Sequence, residues 1–160
     1  QAFDAFTGLV FFNMSRDTYQ TEEYKYIEKH IRILDAFYGL LEPGTMIKPY
    51  RLDMKMDIGL SLYKHWDISP YFKDEVIINL ASAEFSKMLQ SDKMITIAFL
   101  QNKDGTFLNQ ATYSKMARGK FADFMILQKV TTIEELYSFN HDGYIYNPDL
   151  SNKKTIVFTR

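Results

Sequence analysis

Apolar and polar residues alternate along this chain in two rhythms, and the switches between them lay out its elements. Tyr50, Leu52, Met54 and Met56 are separated by Arg51, Asp53 and Lys55. A period of two puts one set on each side of an extended chain, so the pattern predicts a strand with one wet face. Ile31 and Ile33 flank Arg32 in the same way, and Gly39 ends the run, which predicts another strand within residues 30–37. Val76-Ile77-Ile78-Asn79-Leu80 is a short, nearly unbroken apolar run, as in a strand covered on both faces. Residues 94–100 and 106–112 predict two more strands. Between them lies Asn102-Lys103-Asp104-Gly105, and Asp-Gly readily takes the positive φ of a tight hairpin. Tyr144-Ile145-Tyr146 and Thr155-Ile156-Val157-Phe158 predict closing strands around a Pro, Asp, Ser and Asn turn.

The second rhythm is helical. Residues 22–30 are charged and predict a helix with Thr21 as its N-cap. Residues 113–129 carry Met116, Phe121, Phe124 and Met125 on one face. Shorter helices are expected over residues 60–66, after a Ser82 cap to about Leu89, and from Thr132 through residues 133–137. Residues 3–12 read as a strand end leading into a helix. The sum is an α+β chain: a mixed, largely antiparallel sheet flanked by helices, in one domain over residues 1–160. At 160 residues and 46% apolar, the chain suffices for one well-buried core and is short for two. No stretch approaches the ~18 apolar residues of a membrane span. Gln1-Ala2-Phe3-Asp4-Ala5-Phe6 lacks the basic start of a signal peptide.

Composition narrows the chemistry. There is no cysteine, which removes thiolate metal sites, iron–sulfur clusters, disulfides and a Cys nucleophile. His30, His65 and His141 stand far apart, without the spacing of a metal site, so neither metal nor cofactor is expected. No P-loop, Gly-x-Gly-x-x-Gly or Gly-x-Ser-x-Gly is present. Net charge is −1, so attraction to nucleic acid must come from local basic patches.

Two such patches exist. Lys48 and Arg51 flank Pro49-Tyr50, just after the Gly/Pro/Gly turn Tyr38-Gly39-Leu40-Leu41-Glu42-Pro43-Gly44. Lys115, Arg118 and Lys120 surround Gly119 in the long helix. Lys115 and Arg118 share a helix face, and a mid-helix glycine implies close approach by backbone or ligand. Arg beside glycine suits a phosphate or carboxylate grip; a solvated basic face is the plainer reading. Tyr38, Tyr50, Tyr63 and Trp66 lie near these residues, as stacking surfaces or as core packing. Ser82 stands where a strand gives way to a helix, a position that caps the helix or faces a ligand.

Taken together, these motifs resemble the YaaA family of peroxide-stress proteins. The match runs through Phe6-Thr7-Gly8-Leu9, residues 30–34, and Phe37-Tyr38-Gly39-Leu40-Leu41-Glu42-Pro43. It continues with Pro49-Tyr50-Arg51-Leu52-Asp53-Met54, Leu62-Tyr63-Lys64-His65-Trp66 and Ile78-Asn79-Leu80-Ala81-Ser82. It ends with Lys115-Met116-Ala117-Arg118-Gly119 and Phe139-Asn140-His141-Asp142-Gly143-Tyr144. The resemblance implies a cytoplasmic bacterial protein that limits peroxide damage, in part by keeping unincorporated iron low. It implies DNA binding through a positively charged cleft with a helix–hairpin–helix-like element. It also implies a further N-terminal segment with a Ser-Pro-Ala-Lys motif, not found in these residues. The turn at residues 38–44 departs from a helix–hairpin–helix hairpin, because it offers one glycine beside Pro43 and sets Glu42 where phosphate would sit.

The leading expectation is therefore a non-enzymatic or weakly enzymatic binding protein. It holds duplex or distorted DNA through Lys48, Arg51, Lys115, Arg118 and Lys120, which grip phosphates rather than read bases. The 38–44 turn then serves as a scaffold that sets Tyr50-Arg51 opposite Lys115 and Arg118. The alternative is a small-ligand pocket or pocket enzyme, where Tyr38, Tyr50 and Ser82 join Arg51, Lys115 and Arg118 around an anionic or nucleobase-like ligand.

Overall fold

Long-range pairing of short strands, more than any long element, organises this chain in the computed structural model, which describes all residues from Gln1 to Arg160. Two one-turn helices open it, α1 (Ala2–Ala5) and α2 (Leu9–Phe12), followed by a 3-10 turn at Arg16–Thr18. Helix α3 (Thr21–His30) leads into the hairpin β1 (Ile33–Asp35) and β2 (Gly39–Leu41). Residues 42–61 are irregular. Then come α4 (Leu62–His65), a 3-10 turn at Ser69–Phe72, β3 (Ile77–Asn79) and α5 (Ala83–Ser86). Strands β4 (Met94–Lys103) and β5 (Thr106–Leu108) precede the long helix α6 (Ala111–Gln128). Helix α7 (Ile133–Leu136), β6 (Ile145–Tyr146), a 3-10 turn at Pro148–Leu150 and β7 (Thr155–Thr159) complete the chain. No helix is long and apolar enough to cross a membrane.

The main sheet runs β3-β4-β7-β6, with β5 paired to β4 beyond that path. β4 pairs in parallel with both β3 and β7, and antiparallel with β5; β6 pairs antiparallel with β7. With the separate β1–β2 hairpin, three of the five ladders are antiparallel. The fold is thus α+β with a mixed sheet in one compact domain, as the alternation patterns predict. Helix α6 crosses from β4 toward β7 and lies on the sheet, burying Ala117 and Phe121 against Ile97, Phe99, Ile156 and Phe158. Phe99 and Phe158 are cross-strand partners whose rings stack 5.6 Å apart. A second cluster joins Phe3, Tyr26, Ile27 and Ile33 to Ile126 at the far end of α6. A third lies under the irregular segment, around Met54, Leu62, Ile68 and Met88.

Several local expectations change. The α3 N-cap is Gln20, not Thr21: Gln20 is extended, and the Glu23 carboxylate accepts its N–H at 3.0 Å. Residues 3–12 contain two helical turns and no strand. Residues 50–56 form no strand either. Their alternation survives as burial, with Met54 inward between exposed Asp53 and Lys55, but no neighbouring strand supplies a ladder. The run at residues 76–80 is an edge strand rather than one covered on both faces; it pairs only with β4 and leaves Val76 exposed. The helices beginning after Ser61 and Ser82 stop after one turn.

Candidate functional site

The β1–β2 hairpin shows why the Gly/Pro/Gly segment looks as it does. Oδ1 of buried Asp35 accepts N–H bonds from Phe37 and Tyr38, each at 2.8 Å, and closes the turn. Burial raises the Asp35 pKa, while these two N–H donors pull it back down. Gly39 has φ +76°, and a Cβ there would meet the Trp66 ring at 2.5 Å. Trp66 in turn donates Nε1–H to the Ala36 carbonyl at 2.9 Å. Chain geometry and ring packing therefore account for Gly39 without a bound anion. The turn belongs to a β-hairpin, so residues 33–41 hold no helix–hairpin–helix.

Around this hairpin three rings meet. Tyr38 and Tyr50 are edge-to-face at 5.4 Å, and Phe37 touches both. The Tyr38 hydroxyl accepts the Lys48 backbone N–H at 3.1 Å, which carries exposed Lys48 and Arg51 along the same surface. Tyr38 also lines a cleft of about 660 Å³ whose walls include Arg32 and His65 but also Glu42, Asp67 and Glu75. Three carboxylates make that cleft a poor home for phosphate.

The second basic group lies on α6. Lys115 is exposed, and Arg118 and Lys120 are partly buried. Arg118 Nε is buried and finds no hydrogen-bond partner. The chain's ion pairs are Lys25–Glu22, Lys129–Glu23, His141–Asp142 and Lys154–Asp92, so no carboxylate answers Arg118, nor Lys48, Arg51, Lys115 or Lys120. Burial lowers the Arg118 pKa from its ordinary value, the mark of a cation removed from water without compensation. Gly119 has a structural cause. A Cβ there would collide with the Val10 carbonyl oxygen and stand 2.8 Å from Asn13 Cβ, so α2 crosses α6 at this glycine. Backbone, not ligand, makes the close approach.

The predicted residues thus fall into two groups. Tyr38, Lys48, Tyr50 and Arg51 share the hairpin surface; Lys115, Arg118 and Lys120 share α6. No hydrogen bond, ion pair or ring contact joins the groups. Ser82 is the N-cap residue of α5, with no capping bond from its side chain. Two buried groups carry no signal in the sequence, Ser114, one turn before Arg118, and Tyr144; both hydroxyls lack partners. Tyr144 stands in the quoted 139–144 motif, but nothing in its spacing announces that its hydroxyl is buried.

A family model described as peroxide stress protein YaaA matches residues 1–150. A UPF0246 protein of Fusobacterium nucleatum is 38% identical, over 99% of this chain and 68% of its own length. A UPF0246 protein of Agathobacter rectalis is 36% identical, over 98% of this chain and 68% of its own length. One of Lactobacillus johnsonii is 37% identical, over 98% and 67%.

Proposed function

The chain belongs to the YaaA family of peroxide stress proteins, and on that premise we propose that it acts in the cytoplasm by binding duplex or distorted DNA through Lys115, Arg118 and Lys120, with Lys48 and Arg51 as a second contact surface. The grip is on phosphates and is indifferent to base sequence. Limitation of unincorporated iron is an indirect consequence on this reading, since the chain offers no cysteine and no paired histidines.

One observation carries the proposal. Arg118 is a partly buried guanidinium whose Nε has no partner and which no carboxylate faces. Desolvating a cation is costly, and folded chains normally offset it with a paired acid. A phosphate from outside would supply that anion, with the fork geometry that guanidinium matches. Lys115, one turn earlier and exposed, adds a point charge on the approach. The test is binding of the full protein to unrelated 20-base-pair duplexes at low salt. Arg118→Ala is expected to weaken all of them to the same degree, by about ten-fold, as loss of one charge-assisted phosphate contact should. Unchanged affinity, or a loss confined to one sequence, would remove Arg118 from the interface.

A further inference from the structure

Beyond the last apolar layer of the sheet lies a polar one. Cross-strand pairs run Leu100↔Thr159 between β4 and β7, and Ile145↔Thr159 between β6 and β7. One step further, Arg160 donates its N–H to the Leu100 carbonyl at 3.2 Å and accepts the Asn102 N–H at 2.7 Å. Gln101, Arg160 and Tyr144 are therefore neighbours in one row across three strands. Side chains alternate along a strand, so this row faces the same side as Phe99, Phe158 and Tyr146 beneath it. That side carries α6, as the Phe99–Phe121 ring contact at 5.8 Å shows. The first turn of α6 supplies Tyr113 and Ser114. The Arg160 guanidinium sits 4.9 Å from the Tyr113 ring centre and 4.7 Å from that of Tyr144, held between the two faces.

Three neutral groups in this place have buried polar atoms without partners: Gln101 Nε2, Ser114 Oγ and Tyr144 Oη. Ser114 and Tyr144 are each 2% exposed. Buried donors are nearly always satisfied, so a cluster of three calls for a common cause. All three can donate, and the charged group set against Tyr144 is the Arg160 guanidinium. The Asp142 backbone carbonyl accepts one Arg160 N–H at 3.0 Å, while the Asp142 carboxylate lies beside His141 instead. The row lies at the carboxyl ends of parallel strands β4 and β7, the side of an open sheet where ligands commonly lodge.

We propose that Gln101, Ser114, Tyr144 and Arg160 form a pocket for a small oxyanion, the phosphate or carboxylate group of a small molecule. Hydroxyl, amide and guanidinium donors meet its oxygens, and exposed Arg160 stands at the solvent side as the point of entry. The pocket shares no residue with the DNA-gripping set; because Ser114 adjoins Lys115 and lies one turn before Arg118, the hairpin residues Lys48 and Arg51 serve to separate the two readings.

Titration of the full protein with inorganic phosphate and with acetate, followed by the NMR signals of the Gln101 side-chain amide and Arg160 Nε–H, tests this. The two signals are expected to shift saturably with one midpoint for at least one probe; which probe saturates tells phosphate from carboxylate. Tyr144→Phe and Ser114→Ala should each raise that midpoint by about ten-fold, as loss of a hydrogen bond to a charged group does. A Lys48→Ala/Arg51→Ala variant, on the separate hairpin surface, should leave it within about two-fold, while Tyr144→Phe should leave DNA affinity unchanged. Linear, non-saturating shifts with both probes, or one midpoint in all variants, would overturn the proposal and leave a buried water as the partner of these groups.

Discussion

Two charged residues of α6, Arg118 and Asp123, are treated in opposite ways by the fold. Asp123 is buried, yet its oxygens accept the Ser15 N–H at 2.7 Å, the Ser15 hydroxyl at 3.0 Å and the Tyr19 hydroxyl at 2.5 Å. Burial, with the Asp123 carboxylate beside it, drives the Tyr19 pKa far above its ordinary value. This network ties the 3-10 turn at Arg16–Thr18 to the long helix across more than a hundred residues. Asp123→Asn replaces an acceptor oxygen by an amide donor that faces donors. It is expected to destabilise the protein by about 2 kcal/mol in urea unfolding, and Asp123→Ala by about 3 kcal/mol. Arg118 has no such network, and its replacement should change stability far less than it changes binding. A loss of stability from Arg118→Ala equal to that from Asp123→Ala would mark it as structural.

Among the elements, the crossing of α2 and α6 depends on Gly119. In an isolated helix Ala would be favoured over Gly by about 1 kcal/mol. Here an added methyl meets the Val10 backbone carbonyl, which cannot move without shifting α2. Gly119→Ala is expected to lower stability by about 2 kcal/mol net and reduce the melting temperature; a gain would mean that α2 yields at little cost. The glycine itself was legible in the sequence as a sign of close approach, but its partner, more than a hundred residues away, was not. The same division runs through the fold. Asp104-Gly105 marked its hairpin because both residues take positive φ, at +52° and +82°. Thr132 marked the start of α7 because Glu135 returns bonds to the Thr131 and Thr132 N–H groups at 2.8 Å. Those signals are local. Residues 50–56 misled because burial alternation needs only an apolar surface to lie on, whereas a strand needs a partner. The Gln101, Arg160 and Tyr144 row was invisible for a related reason: register across three strands brings it together, and no sequence spacing does.

At the scale of the whole molecule, a net charge of −1 gives no general pull on nucleic acid. The proposed DNA binding must then rest on a few unpaired cations, and it is sensitive to screening. The two basic groups make no direct contact, so DNA joins them only by spanning both. If all five residues meet phosphates, the logarithm of affinity should fall with the logarithm of salt at a slope of about −4.5 on duplex DNA. If α6 alone makes contact, the slope should be about −2.7. Both exceed what a neutral surface would show. The most direct measurement is that slope, taken between 50 and 200 mM salt (roughly the range over which counterion release is read) for the full protein and its Lys115→Ala/Arg118→Ala variant. A steep slope is expected, becoming shallower by about 1.8 in the variant. A slope near zero, or one identical in the two proteins, would contradict it.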